Sequence, residues 1–226
     1  AACMILTLPY GTFERADSDD PFQNDIASTG FWDKDLQPFL DMVKPGELVV
    51  DVGAHIGLYA GYWANRGCVV VAFEGHPTFL PLLAHNVLHN GWQRQVQIIP
   101  FFLYSRHCWL QEHVQHPTQA SNTWVPVPEN GQRRPGTVVE ADTLDSCDVG
   151  SDPKLLKVDA QGADLHVLLG AERLIQRCHP NILIEYEAPL TKQHGHSAED
   201  YERWITTHRY KKTPVNGWNA YLTWEG

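Results

Sequence analysis

Leu48-Val49-Val50-Asp51-Val52-Gly53-Ala54-His55-Ile56-Gly57 carries the clearest structural pattern in the chain. A short apolar run ends at glycines, the pattern of a strand buried on both faces. Leu58 to Asn65 is a helix-length stretch closed by Gly67. Cys68 to Phe73 repeats the buried-strand pattern and ends in Glu74-Gly75. Thr78 to His89 then reads as a second helix, with Asn90-Gly91 as its stop signal. Gln95 to Pro100 is a third strand. Strand–helix–strand–helix–strand over so short a span implies a parallel sheet with right-handed crossovers. Before it, Phe31 to Val43 reads as an amphipathic helix.

Residues 105–153 break the rhythm. Pro, Gly, Asn and Gln are frequent, and short alternating segments (Asn122 to Val127, Thr137 to Glu140) predict a β-hairpin insertion or lid instead of another crossover helix. The parallel pattern returns at Leu155 to Asp159, followed by a helix from Ala163 to Arg177 and a strand from Asn181 to Glu187. Ser197 to His208 is a helix opened by Ser197-Ala198-Glu199-Asp200. The last two strands, Arg209 to Thr213 and Trp218 to Trp224, flank Asn216-Gly217, a hairpin signal, so this pair is expected to be antiparallel. The expectation is an α/β fold with a seven-stranded, mostly parallel sheet, in one domain spanning 1–226. Residues 1–45 would be an extension with its helix, and 46–226 the core.

Composition narrows the function. Of 226 residues, 43% are apolar and 11% aromatic, enough to build a core and to exclude a disordered chain. With 17 Lys and Arg against 27 Asp and Glu, the formal charge is −10. That argues against non-specific binding to nucleic acid or to an anionic membrane. No run approaches the ~20 apolar residues of a membrane-spanning helix. The opening AACMILTLPYGTFER lacks a basic region, reads as a poor signal peptide, and does not start with Met, as in a processed or trimmed chain. Five scattered cysteines (Cys3, Cys68, Cys108, Cys147, Cys178) form no CxxC, predicting neither a disulfide framework nor a zinc site and fitting a reducing, cytoplasmic setting.

The chemistry gathers at Asp51, Gly53, Ala54, His55 and Gly57. Glycines in a strand-to-helix turn let backbone approach a ligand, and the helix start offers free N–H groups. The alternative for Gly53 and Gly57 alone is that they are merely turn glycines. Glu74, at the end of the next strand, is placed to accept both hydroxyl hydrogens of a ribose. The spacing is D-x-G-x-x-x-G, not the G-x-G-x-x-G that seats a pyrophosphate, which disfavours a nicotinamide dehydrogenase. An acid before the first glycine suits a cofactor with an ammonium group, and S-adenosylmethionine (AdoMet) fits.

Three segments resemble the FkbM-type AdoMet-dependent methyltransferases. They are Lys44-Pro45-Gly46 through Gly57; Val71 through Pro77 with Asn86 and Asn90 behind it; and Thr143-Leu144-Asp145 followed by Leu156 through Asp164 and Leu168-Leu169-Gly170-Ala171. The third is the most specific, and the likeness runs from about Asp25 to the C-terminus. His55 stands where that family usually has Asn, Gln161 and Asp164 where it has Glu, and Ser146 where it has Asp. Without a carboxylate at Gln161, no charge-based role is implied there, metal binding included. The resemblance implies a class I methyltransferase (Rossmann-like) fold, AdoMet as donor and usually a hydroxyl acceptor. It also implies that Phe102-Leu103-Tyr104-Ser105 faces the adenine, with Leu103 and Ser105 as cofactor contacts. Ile26 to Gly30 would cover the methionine end. His76-Pro77 would flank the adenine or only start the next helix.

Ligands in open α/β sheets sit at the carboxyl ends of strands, where Asp159 stands. Lys157 shares a side of that strand with Asp159, and Glu185 lies on the following strand. A lysine inside an apolar strand is costly unless paired, so a Lys157–Glu185 or Lys157–Asp159 ion pair is expected; the alternative is a solvent-edge lysine with no chemical role. Asp159, assisted by Lys157, is the candidate general base for a hydroxyl; a divalent metal on Asp159 and Glu185 would be the alternative. His113-x-x-His116 and His194-x-His196 lack nearby Cys and read as solvated or substrate-facing. Trp63 and Trp204 read as core; Trp109 and Trp124 either line an acceptor pocket or pack the insertion. The expected acceptor is a hydroxyl of a small molecule or sugar. The rivals are 2′-O-methylation of RNA, which the net charge disfavours, and a binding domain that keeps the fold without turnover.

Overall fold

The computed structural model describes residues 4–15, 26, 34–113, 123–128 and 136–226, and the chain divides into two compact units, Ala1–Pro100 and Phe101–Gly226. The first unit opens with an antiparallel hairpin, β1 (Met4–Leu8) and β2 (Gly11–Arg15). A short α1 (Gln37–Leu40) leads to β3 (Leu48–Val52), α2 (Leu58–Asn65), β4 (Val69–Phe73), α3 (Phe79–His89) and β5 (Val96–Ile99). β3 pairs parallel with β4, from Leu48↔Val69 to Val52↔Phe73, and β4 pairs parallel with β5. Every residue of β3 is buried, and so is every residue of α2 from Leu58 to Ala64. α2 is therefore apolar all round, as a helix covered on several sides must be. Phe13 of β2 is fully buried against Trp92, with ring centroids 5.7 Å apart.

Two asparagines of α3 tie the hairpin down. Asn86 Oδ1 accepts the Glu14 N–H at 2.7 Å, and its Nδ2 donates to the Glu14 carbonyl at 3.1 Å and the Ile56 carbonyl at 2.9 Å. One turn on, Asn90 makes the same pair of bonds to the Thr12 N–H and C=O. A side-chain amide carries both donor and acceptor, so it can stand in for a neighbouring strand.

The second unit contains a four-stranded sheet in the order β6-β9-β7-β8: β6 (Phe102–Leu103), β7 (Cys108–His113), β8 (Thr123–Pro126) and β9 (Val138–Asp142). After it come β10 (Leu155–Val158), α4 (Asp164–Leu169), α5 (Glu172–Cys178), β11 (Asn181–Glu185), α6 (Ala188–Gln193), α7 (Ala198–Thr207), β12 (Tyr210–Pro214) and β13 (Asn219–Trp224). β10 and β11 are parallel, and β13 is antiparallel to both β11 and β12. The expected α/β class is present. β3, β4, β5, β10, β11, β12 and β13 are the seven anticipated strands, the final hairpin antiparallel. Ser197 opens α7 with the expected capping box to Asp200.

Three expectations need correction. The insertion is a four-stranded sheet, because β9 pairs with both β6 and β7 and converts the hairpin β7–β8 into a larger unit. The predicted helix at 31–43 is the single turn Gln37–Leu40, with Pro38 in its first turn where a missing N–H costs nothing; residues 31–33 lie outside those described. The predicted helix at 163–177 is broken at Gly170. A Cβ there would lie 2.2 Å from the Tyr104 carbonyl oxygen, which requires glycine, and the Gly170 carbonyl accepts the Asp145 N–H instead of continuing the helix. The hairpin β1–β2 and α6 were not foreseen at all. No helix among the described residues is long and apolar enough to cross a membrane.

Candidate active-site residues

In the first unit, Asp51 is fully buried near the end of β3. The chain then turns sharply: the N–H groups of Gly53 and Ala54 both donate to the Phe73 carbonyl at 3.0 Å. Gly53, His55 and Gly57 all have positive φ (74°, 53° and 91°), and Gly57 caps α2 in the left-handed region. A side chain at Gly57 would also meet Leu83 at 2.7 Å, so this glycine answers both a backbone and a packing demand. His55 adopts a conformation that costs a non-glycine residue about 1–2 kcal/mol.

Glu74 holds that turn. It is 6% exposed; its Oε2 accepts the His55 N–H and its Oε1 the His76 N–H, each at 2.7 Å. These are charge-assisted bonds to backbone, and they fix the carboxylate's direction just beyond β4. The His55 and His76 rings both lie against Phe79, at 4.0 and 4.5 Å. His76 also accepts the Thr78 N–H through Nδ1, so it starts α3.

In the second unit, Lys157 is buried in β10 with its Nζ 3.7 Å from Asp159 Oδ2. Of the two ion pairs expected, this is the Lys157–Asp159 one. Asp159 Oδ1 also accepts from Gln161 Nε2 at 3.1 Å. Burial, together with the charges of Asp159, Asp164 and Glu187, pushes the Glu185 carboxyl well above the usual carboxylate range. Burial and these neighbouring charges thus disfavour the ionised form of Glu185. Asp164 is pushed up to about 7, by burial first and then the Asp159 charge, against the lowering effect of its backbone hydrogen bonds. Its carboxylate accepts the N–H groups of Ala160 at 2.8 Å and Gly162 at 3.0 Å, pinning the loop after β10.

Leu103 lies buried in β6, and Ser105 Oγ is 3.0 Å from His166 Nδ1. His194 is 7% exposed, not solvated; His116, Cys3 and positions 27–30 lie outside the described residues. Trp63, Trp124 and Trp204 are buried and Trp109 is half exposed. Among the described residues no group of three or more His, Cys, Asp or Glu is arranged to hold a metal ion.

Sequence reasoning missed what Asp145 does. Its N–H donates to the Gly170 carbonyl at 2.9 Å, and its carboxylate accepts the N–H groups of Arg173 at 2.8 Å and Leu174 at 2.9 Å. It thus caps α5 from a distant loop. The Thr143-Leu144-Asp145 and Leu168-Leu169-Gly170-Ala171 motifs meet through these bonds. The glycine inside an otherwise helical run was the available signal.

The Methyltransferase FkbM domain matches residues 51–212. The fold is similar to that of an FkbM methyltransferase from Methylobacillus flagellatus (TM-score 0.55, 17% identity), covering 92% of this chain and 56% of that one. It is also similar to an rRNA methylase from Streptococcus thermophilus (0.52, 12%; 83% of this chain and 92% of the other). A third likeness is to a TehB-like SAM-dependent methyltransferase from Corynebacterium glutamicum (0.50, 12%; 89% and 94%). The chain thus spans little more than half the length of its FkbM structural relative. No curated protein matches it in sequence.

Proposed function

Since the chain belongs to the FkbM methyltransferase family, we propose that it is an AdoMet-dependent O-methyltransferase acting on a hydroxyl of a small molecule or sugar, with 46–226 as its core. The observation that carries this reading is the Glu74 carboxylate, locked by the His55 and His76 N–H groups beside a turn with three positive-φ residues. A carboxylate accepts about four hydrogen bonds, so one fixed in this way can also take the two hydroxyls of a ribose. Asp51 would face the amino group of the cofactor, and Gly53, Ala54, His55 and Gly57 would line it with backbone. Leu103 and Ser105 would serve the adenine. When bound, AdoMet supplies a methyl group on a positively charged sulfur.

On the acceptor side, the chain's own residues must orient a hydroxyl and remove its proton. Asp159 is the base in this reading. Lys157 holds it in position and stabilises its charge, and Glu185, a neutral acid, donates a hydrogen bond instead of competing for the proton. Near-attack positioning, with reacting atoms ~3–3.5 Å apart, supplies the remaining advantage.

The test is calorimetry with AdoMet, then a screen of hydroxyl acceptors with radiolabelled methyl donor. We expect AdoMet to bind, and Glu74→Gln to weaken binding roughly tenfold or more, since an amide cannot replace a carboxylate accepting from N–H and hydroxyl groups together. Asp159→Asn should keep AdoMet affinity and lose turnover. No AdoMet binding would favour a non-catalytic domain. Methyl transfer to RNA with no transfer to small hydroxyl compounds would favour the RNA reading.

A further inference from the structure

We propose that Thr123 and His194 are a positioning pair that fixes the backbone of Gln161 and, through it, the side chain of Asp159. The functional part of this rests on reading Asp159 as the acceptor-side base.

Thr123 is fully buried, and its Oγ1 lies 2.6 Å from the Gln161 carbonyl and 2.8 Å from His194 Nε2. A carbonyl can only accept, so the single hydroxyl hydrogen goes to Gln161. His194 must then donate from Nε2, which leaves Nδ1 as an acceptor. The Tyr104 hydroxyl stands 3.5 Å from that Nδ1. The neighbouring imidazole obeys the same logic. His166 Nε2 is 3.1 Å from the His194 carbonyl and must donate, so its Nδ1 accepts from Ser105 Oγ. Tyr104 stacks on His166 at 4.0 Å. Burial disfavours the charged form of both rings, and in the neutral form these contacts place the proton on Nε2 of each.

The target of this arrangement is strained. Gln161 has φ 50°, a left-handed conformation unusual for a residue with a Cβ, and its side-chain amide reaches Asp159 Oδ1 at 3.1 Å. Such a conformation persists where surroundings over-determine it. Here the Thr123 hydroxyl holds the Gln161 carbonyl, and Asp164 holds the Gly162 N–H at 3.0 Å. Leu190 of α6 closes over Gly162 so tightly that a Cβ would lie 2.5 Å from its carbonyl carbon. His194 follows directly on α6. One short helix and one edge strand of the small sheet thus converge on the loop that aims Gln161 at Asp159.

Nitrogen-15 NMR of the native protein reads the imidazole tautomers directly. The proposal requires His194 and His166 each to carry the proton on Nε2; a proton on His194 Nδ1 overturns it. Amide exchange then tests the coupling. Thr123→Val should speed exchange of the Gly162 amide roughly five- to tenfold, the scale of one lost hydrogen bond. Thr123→Ser should restore it, and amides within α7 should not respond. Unchanged Gly162 exchange in Thr123→Val, or failure of Thr123→Ser to restore it, contradicts the pair. If Thr123→Val does not fold, the native tautomer decides. None of these readouts uses cofactor or acceptor. An Asp159→Asn variant that still turned over would therefore remove the base assignment while leaving the tautomer and exchange results standing.

Discussion

Single residues do disproportionate structural work in this chain, and several do it where chemistry is also expected. Glu74 was legible from the sequence as a carboxylate at the end of a strand. Its grip on the His55 and His76 N–H groups was not, because nothing in the spacing shows where a turn's backbone amides point. Lys157 was legible too: a lysine in an apolar strand demands a partner, and it has Asp159. Asp145 was quoted only as part of a motif, whereas the fold uses it as a remote cap for α5. Asp145→Ala should therefore destabilise the protein by about 1–2 kcal/mol, the cost of a lost cap. That is a drop of roughly 2–8 °C in thermal midpoint for a chain of this size. An unchanged midpoint would show that water replaces the carboxylate without penalty.

At the level of elements, the parallel strands and their helices were readable because each is a contiguous run with its own period and stop signal. α2 and α3 fall within a residue of their expected bounds. What failed to show was decided between distant segments. Gly170 has no room for a Cβ beside the Tyr104 carbonyl and gives its own carbonyl to Asp145 where the helix breaks, and β9 becomes a central strand by pairing with both β6 and β7. The hairpin β1–β2 is tied to α3 by Asn86 and Asn90, which the sequence offered only as part of a resembling segment and, for Asn90, as the helix stop signal. Asn86→Ala would leave the Glu14 N–H and two carbonyls without their partner. A loss of about 2–3 kcal/mol in urea unfolding is expected, and Asn86→Asp should not recover it, because a carboxylate cannot donate to either carbonyl. Full stability in Asn86→Asp would show that those two donated bonds contribute nothing.

Over the whole molecule, the buried titratable groups set how stability follows pH, and they pull in opposite directions. His166 and His194 are lowered to about 4, chiefly by burial and then by neighbouring imidazoles, with Arg106 also acting on His166. The unfolded chain takes up these protons first, so their contribution is lost as pH falls from about 6.5 towards 4. Asp164 and Glu185 are raised, so the folded state keeps protons that the unfolded chain releases, and stability falls as pH rises above their ordinary values. Below neutrality the two sets oppose each other; above it Glu185 remains. Chemical denaturation should therefore show stability declining on the alkaline side of neutrality, and Glu185→Gln should flatten that decline. A Glu185→Gln curve parallel to the native one would contradict the neutral acid assigned to this position. A crystal structure with S-adenosylhomocysteine tests whether the cofactor lies against Glu74. Both ribose hydroxyls are expected within hydrogen-bond distance, ~3 Å, of Glu74, with the adenosyl group against the Gly53–Gly57 turn. A ribose bound away from Glu74, or crystals that take up no nucleoside there, would contradict that placement.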